Sequence, residues 1–229
     1  MTGHATDVDT ADLVRRWQRG WSACRGWEPP REAGGGLHFL LRRPGRHHEV
    51  VALRADDEPG TVGVLAAEVA GHAEAAWLTV PTARPDAVER ELRAAGLVVK
   101  QSREWLMTRD LAGHPTRPAA GPYRTTTSVD GAVLKAEVRH ESGDLAASGL
   151  AGVIGPDAVP DRIETDPGHR RRGLGTVVMG ALAEAAVVRG ARTGILLASP
   201  DGERLYTSLG WTTRWSVVIA TNVVPSGVS

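Results

Sequence analysis

The stretch that decides the fold is residues 163–190, IETDPGHRRRGLGTVVMGALAEAAVVRG. A predicted strand ends near Thr165, and an apolar stretch typical of a helix follows it. Gly173 and Gly175 lie at the junction, where glycine lets the backbone approach a ligand closely and leaves its N–H groups free. Three arginines add formal positive charge to the partial charge of a helix N-terminus: Arg170, Arg171 and Arg172. The junction is therefore predicted to bind an anion such as a pyrophosphate.

Two common phosphate-binding patterns do not match this junction. A dinucleotide-binding fold has G-x-G-x-x-G directly after the strand and an acidic residue about 20 positions further on. Here the order is R-x-x-G-x-G, and the first glycine is missing. A Walker loop is also excluded, because no Lys followed by Ser or Thr comes after the glycines.

The R-x-x-G-x-G loop after a strand that ends in Asp-Pro resembles the acetyl-CoA loop of the GNAT superfamily of acyl-CoA-dependent N-acyltransferases. That family has, farther along the chain, a strand, a short helix with a Tyr, and L-G-[FW]. The sequence LLASPDGERLYTSLGW (196–211) has Tyr206 and the Leu-Gly-Trp of 209–211 in these positions. The resemblance covers residues 123–222 and is strongest over 158–211. It implies an α/β fold with a central mixed, mostly antiparallel sheet flanked by helices.

The resemblance implies acetyl-CoA as the acyl donor and assigns residues to it. The end of the strand at 158–165 would separate from the strand at 194–199. Main-chain groups there would then pair with the pantetheine arm as an added strand does. The strand-end residues are Ile163, Glu164 and Thr165. The pyrophosphate would bind the Thr176 hydroxyl and main-chain amides of the loop. The residues that would supply these amides are Arg170, Arg171, Arg172, Gly173, Leu174 and Gly175. Ser199 stands where many relatives carry an Asn that faces the cofactor, and its hydroxyl reaches less far.

Tyr206 is the implied general acid, which would protonate the departing CoA thiolate; the alternative is an aromatic residue that packs the short helix. Attack by an amine also requires a base. Asp161 and Glu164 lie on the strand that enters the loop, and alternation predicts opposite faces. Asp161 is favoured because it would share a face with Ile163 and Thr165, and its alternative role is to pair with an Arg. The further alternatives are Glu137, His140 and a chain of water molecules.

The domain organisation is predicted from a linker and a repeat. The Pro- and Gly-rich stretch 112–122 separates domains at 1–115 and 116–229. The family fold has two helices between its first two strands, and the second half has no room for them, so a complete fold needs the first half.

A faint repeat suggests what the first half is. WLTVP and ERELRAAGL (77–97) parallel ILLASP and ERLYTSLGW (195–211), with Gly96 opposite Gly210 and Leu92 opposite Tyr206. Resemblance between any two βαβ units is the alternative explanation. We interpret the first half as a degenerate GNAT-like lobe that lacks the loop and the tyrosine, which leaves one cofactor site rather than two.

Composition excludes several function classes. The 229 residues carry 27 basic and 27 acidic side chains, so a net charge of zero argues against a nucleic-acid or membrane-surface binder. No apolar run is long enough to span a membrane, and the first ten residues do not resemble a secretory signal. The single cysteine, Cys24, forms no internal disulfide and no thiolate zinc cluster. The histidines, including His47 and His48 in a predicted turn, lack metal spacing with carboxylates, so no metal is expected. A bacterial, cytoplasmic protein is the expectation.

The resulting hypothesis is an N-acetyltransferase that moves the acetyl group of acetyl-CoA to a primary amine by direct attack. A main-chain N–H near Ile163 or Glu164 would polarise the thioester carbonyl. A small-molecule acceptor is favoured, and the protein is expected to be a monomer or homodimer. A non-catalytic acyl-CoA sensor and a protein lysine or N-terminal acetyltransferase are the alternatives.

Overall fold

The structure is a computed structural model that describes residues 9–58 and 60–223. Within these residues it has five α-helices: α1 (Thr10–Arg25), α2 (Thr61–Gly71), α3 (Pro85–Ala94), α4 (Leu174–Val188) and α5 (Pro200–Ser208). The first six strands are β1 (Arg31–Ala33), β2 (Gly36–Arg43), β3 (Arg46–Ala52), β4 (Ala76–Thr82), β5 (Val98–Val99) and β6 (Glu104–Asp110). The other six are β7 (Tyr123–Asp130), β8 (Val133–His140), β9 (Leu145–Ile154), β10 (Asp157–Thr165), β11 (Thr193–Ala198) and β12 (Thr212–Thr221).

The chain divides into two compact units whose residues interleave. Among the described residues, unit 1 comprises 9–15, Glu28–Leu106 and 214–223, and unit 2 comprises Arg16–Trp27 and Met107–Thr213. The linker at 112–122 suggests a single boundary after residue 115. The observed division differs because most of α1 belongs with unit 2 and most of β12 belongs with unit 1.

Unit 1 is built on the strand order β1-β2-β3-β4-β12, and β5 also pairs with β12. β2 and β3 form an antiparallel hairpin whose turn contains Pro44-Gly45. β3 and β4 are parallel, as the intervening helix α2 requires. β12 completes the sheet because its Ser216–Thr221 segment pairs antiparallel with Trp77–Thr82. The core forms between the sheet and helices α2 and α3, and includes Leu65, Leu78 and Leu92.

Unit 2 is built on the strand order β6-β11-β10-β9-β8-β7. β7 to β10 form an antiparallel meander, and α4 connects β10 to the parallel strand β11. One face of the sheet packs on α4, where Val178 and Leu182 face Gly149 of β9. The expected α/β fold, with a mixed, mostly antiparallel sheet flanked by helices, is therefore confirmed.

Helix α1 covers the opposite face of the unit 2 sheet. Gly152 lies three residues after Gly149 on β9, so its Cα hydrogens point away from α4. A Cβ at Gly152 would collide with the carbonyl of Gly20 in α1, and a Cβ at Gly20 would collide with Val159. These two glycines let a helix backbone lie directly on a strand. The hairpin between β7 and β8 leaves no room for a helix, as predicted. The helix that packs on this face is α1, which comes from near the start of the chain.

The two units share an order of elements. β2-β3-α2-β4-α3 in unit 1 corresponds to β9-β10-α4-β11-α5 in unit 2. Gly60 and Gly173 are the N-caps of α2 and α4, with left-handed φ values of 88° and 74°. Gly96 and Gly210, which follow α3 and α5, have φ values of 83° and 79°. The repeat in the sequence thus corresponds to a repeated succession of elements.

No helix within the described residues combines the length and apolar character needed to cross a bilayer.

Candidate active site

The end of β10 separates from β11, as predicted. The two parallel strands pair only at Asp157 with Thr193 and Ala158 with Gly194. Both strands then continue, β10 to Thr165 and β11 to Ala198. The main-chain groups of the last residues of β10 are therefore not paired with β11.

A cleft of about 950 Å³ opens in unit 2 at this end of β10. Most of the residues predicted from the sequence line it: Ile163, Glu164, Thr165, Arg170, Arg171, Gly173, Leu174, Gly175, Thr176, Ser199 and Tyr206. Asp161 and Arg172 do not line it. The structure also adds residues of β9 that no sequence motif marks, because antiparallel pairing with β10 places them there: Leu145, Ala147 and Ser148.

A β-bulge interrupts β10 just before the cleft. Asp161 pairs with Leu150 and Glu164 with Ser148, so three steps along β10 match two along β9. Arg162 takes the left-handed φ of 54° that accommodates the extra residue. Because Leu150 and Ser148 share a face, Asp161 and Glu164 share it too. The prediction that these carboxylates lie on opposite faces is wrong, and so is the prediction that Asp161 shares a face with Ile163. Ile163 instead lies towards Gly149, on the α4 face.

The loop before α4 leaves the helix N-terminus available to a ligand. Asp166 accepts a hydrogen bond from Gly168 N at 2.8 Å and so caps the 3-10 turn Pro167–His169. Gly173 is the N-cap of α4 and has no side chain to satisfy the first-turn N–H groups. Gly175 allows close packing, because a Cβ there would lie 2.9 Å from Leu205 of α5. These features place the start of α4 at the cleft, as the anion-binding loop expected from the sequence requires.

Tyr206 lies on α5 with its side chain largely buried at the cleft. Burial, followed by the negative charge of Asp161, raises the pKa of Tyr206 to about 12. The phenol therefore stays protonated throughout the neutral range and can donate its proton. Trp211 lies nearby, with ring centroids 6.1 Å apart.

Ser199 has a structural use besides lining the cleft. Its hydroxyl oxygen accepts a hydrogen bond from Gly202 N at 3.2 Å and caps α5. The residue therefore positions the helix that carries Tyr206.

Asp161 forms an ion pair with Arg25, which is the alternative to its role as the base. Both carboxylate oxygens accept hydrogen bonds from Arg25, each at 2.8 Å. The Arg25 guanidinium also lies 5.4 Å from the ring centroids of Trp21 and Trp27. Nearby, burial and the charge of Asp161 raise the pKa of the Cys24 thiol to about 12, so that thiol is not an activated nucleophile.

We expect Arg25→Ala and Asp161→Asn each to destabilise the protein by about 2–4 kcal/mol. Arg25→Ala leaves the partly buried Asp161 carboxylate without its cation, and Asp161→Asn leaves the Arg25 guanidinium without its anion. The double variant should lose about 1–3 kcal/mol less than the sum of the single losses. Denaturant unfolding measures all three values. The more exposed pair Arg54–Glu58, 3.2 Å apart, is the control and should couple by less than about 0.5 kcal/mol. Equal coupling in the two pairs would show that Asp161 is not held by Arg25.

The other candidate bases also have partners. Lys135 and Arg139 pair with Glu137, and hydrogen bonding from Lys135 is the main cause that lowers the pKa of that carboxyl. His140 Nδ1 contacts Ser142 Oγ at 2.8 Å. Within the described residues, Glu164 has no ion pair at 4.0 Å or less, and it lines the cleft.

Comparisons with known proteins agree with this geometry. A family model described as FR47-like protein matches residues 159–219, which run from β10 into β12 and include the loop and Tyr206. No curated protein sequence matches the chain at a significant level.

Solved structures match over nearly the whole chain. A GCN5-related N-acetyltransferase from Kribbella flavida has a TM-score of 0.72 at 15% identity, covering 97% of this chain and 98% of that one. A GCN5-related N-acetyltransferase from Sphaerobacter thermophilus has a TM-score of 0.61 at 14% identity, with 82% and 76% covered. A tandem GNAT protein from the clavulanic acid biosynthesis pathway has a TM-score of 0.57 at 14% identity, with 97% and 98% covered. The chain has the GNAT fold, and the resemblance found in its sequence is confirmed.

Proposed function

We propose that the protein is an N-acetyltransferase that transfers the acetyl group of acetyl-CoA to a primary amine. The observation that carries the proposal is the separation of β10 from β11 beside a glycine-capped helix N-terminus. The family match over residues 159–219 and the GNAT-fold neighbours support an acyltransferase.

The groups that line the cleft match the chemical groups of acetyl-CoA. Main-chain groups of Ile163, Glu164 and Thr165 would pair with the pantetheine amides in place of the absent β11 partner. First-turn N–H groups after Gly173, with the Thr176 hydroxyl, would hold the pyrophosphate. Arg170 and Arg171 line the cleft and would add charge, whereas Arg172 lies outside its walls.

Three groups would carry the transfer. A main-chain N–H beside the bulge, at Ile163 or Glu164, would donate to the thioester oxygen as the carbonyl carbon becomes tetrahedral. Glu164 would take a proton from the attacking amine, directly or through water, since Asp161 is held by Arg25. As the C–S bond breaks, Tyr206 would give its proton to the thiolate. Asp161 is thus proposed as a positioning residue rather than the base.

Only one of the two units would bind the cofactor. In unit 1 the parallel strands β3 and β4 pair from His48 with Ala76 to Val51 with Thr79, almost to the end of β3 at Ala52. No opening like that of unit 2 exists along this pair. We therefore propose that unit 1, which holds most of residues 1–115, is a degenerate GNAT-like lobe, and that unit 2, which holds most of residues 116–229, is the catalytic unit. The match to a tandem GNAT protein over 97% of the chain supports this organisation.

The proposal also includes the type of acceptor and the cellular location of the protein. A small amine is favoured because the neutral net charge provides no general attraction for polyanions or basic tails. A bacterial cytoplasmic location rests on the single cysteine and on the composition.

Melting curves with ligands test the cofactor. At a hundred times its dissociation constant, a ligand stabilises the fold by about 2.7 kcal/mol, which raises the melting temperature by about 5 °C or more. We expect acetyl-CoA and CoA to produce this shift and NAD and ATP to produce none. No shift with acetyl-CoA or CoA would overturn the proposal. A shift without release of CoA from acetyl-CoA over a panel of amines, lysine peptides and N-terminal peptides would favour an acyl-CoA sensor.

A further inference from the structure

Three potential metal ligands meet in unit 1, at the edge of the sheet where β3 and β4 begin. We propose that His48, His72 and Glu74 form a binding site for a divalent transition-metal ion, with Zn²⁺ as the best match. One ligand atom from each residue lies within 4.8 Å of those from the other two. Nothing in the sequence indicates this site, because the ligands come from a strand and from the connection after a helix.

The fold brings the three residues together. β3 and β4 are parallel, so both begin at the same edge of the sheet, and His48 pairs directly with Ala76. Residues 72–75 connect the end of α2 to β4. The main-chain N–H groups of His47 and His48 donate to the carbonyl of Ala75 at 2.7 and 3.0 Å, which fixes this connection beside β3. His47 and His48 were expected in an exposed turn, but both lie within β3 and are partly buried.

Asn222 holds the connection that carries two of the ligands. Its Nδ2 donates to the carbonyls of His72 at 2.9 Å and Glu74 at 3.0 Å. Its Oδ1 accepts from the N–H of Ala76, also at 2.9 Å. The backbone around both ligand residues is therefore positioned by one side chain, as metal sites require of their supporting residues.

The spacing of the donor atoms suits a zinc ion. Zinc binds imidazole nitrogen and carboxylate oxygen at about 2.0–2.2 Å, so two ligand atoms of a tetrahedral site lie about 3.3 Å apart. His48 Nε2 and Glu74 Oε2 are 3.8 Å apart, and the His48 and His72 rings stack with centroids 4.1 Å apart. Binding one ion would require these separations, all within 4.8 Å, to shorten to about 3.3 Å by rotation of the side chains. Two imidazoles favour zinc-like ions over Mg²⁺ and Ca²⁺, which prefer oxygen ligands.

The surroundings leave room for a fourth ligand. A cavity of about 290 Å³ adjoins the cluster and is lined by His48, His72, His38, Glu68 and Arg31, among others. Glu68 is a second carboxylate beside the site and contacts His38 at 3.1 Å. The Glu74 side chain is 55% exposed, so an ion can reach the cluster from solvent. Three protein ligands plus an open position is the arrangement that admits water or a small ligand at zinc.

The test is calorimetric titration of Zn²⁺ into the full chain, free of any histidine tag and stripped of metal. We expect saturable binding of one equivalent. Affinity should fall by more than about 100-fold in His72→Ala and Glu74→Gln, since even loss of a supporting residue costs about 10–100-fold. Asn222→Ala removes a supporting residue and should lower the affinity for Zn²⁺ by about 10–100-fold. His140→Ala, which removes a histidine of unit 2, is the control and should bind as the unaltered protein does.

Folding and chance binding are separated by two further readings. Glu74→Gln changes an exposed side chain and should leave the melting temperature without metal unchanged, so its loss of zinc binding reports the ligand itself. Titration with Co²⁺ should produce visible absorption in the unaltered protein and not in His72→Ala. No saturable binding of one equivalent, or equal binding by the unaltered protein, Glu74→Gln and His72→Ala, would overturn the proposal.

Discussion

Gly173→Leu is expected to abolish measurable binding of acetyl-CoA while the protein remains folded. Gly173 has a φ of 74° and caps α4 where the first-turn N–H groups face the cleft. A leucine would strain the backbone by about 1–2 kcal/mol and would place its side chain where the pyrophosphate is proposed to lie. Isothermal titration with acetyl-CoA measures the loss.

Gly60→Leu is the matched control for Gly173→Leu. Gly60 caps the corresponding helix α2 with a φ of 88°, and an added Cβ there would meet no atom within 4 Å. Both variants should therefore lose a similar amount of stability, but only Gly173→Leu should lose acetyl-CoA. Intact binding in Gly173→Leu would disprove the loop assignment. Loss of binding in both would show that strain, rather than the position of the side chain, is responsible.

Tyr206→Phe is expected to lower kcat by about 10²–10⁴-fold, the usual contribution of a positioned general acid, without changing the dissociation constant of acetyl-CoA. The substitution removes the proton donor and keeps the ring that packs α5. Since the pKa of Tyr206 is raised to about 12, loss of activity through its deprotonation should begin only above pH 10. A kcat that is the same for both proteins would reject the role.

Tyr123→Phe is the control for Tyr206→Phe. Tyr123 is the other of the two tyrosines in the chain and belongs to the same unit. Its hydroxyl lies 2.9 Å from His169 Nδ1. It does not line the cleft. Its loss should reduce stability by about 1 kcal/mol, the usual value of one hydrogen bond, and leave kcat within about twofold. Equal loss of kcat in the two variants would indicate a general effect of removing a hydroxyl.

The sequence could predict the elements because local patterns determine them. The apolar stretch after the R-x-x-G-x-G loop forms helix α4, with the loop at its start, and the short helix that carries Tyr206 is α5. The predicted separation of β10 and β11 came from the family resemblance rather than from any local pattern.

Long-range contacts and irregular backbone were not predictable in the same way. The bulge at Arg162 places Glu164 on the same face of the sheet as Asp161, where strand alternation predicts opposite faces. A glycine in the sequence often indicates a residue with positive φ, whereas an arginine gives no such indication. Arg25 and Asp161 are 136 residues apart, and nothing local in either segment selects the partner. The cluster of His48, His72 and Glu74 likewise depends on parallel pairing of two strands.

The position of β12 makes the sheet of unit 1 depend on a contact between residues far apart in the sequence. Ser216–Thr221 pair with Trp77–Thr82, and Val218 and Ala220 fill the core of unit 1. In unit 2, β7 to β10 form a meander of consecutive strands. Contacts between residues that are close in sequence form before contacts that must close a long loop, so we expect the meander to form before the sheet of unit 1 is complete. Until β12 pairs with it, β4 is an unpaired strand edge of the kind that promotes aggregation.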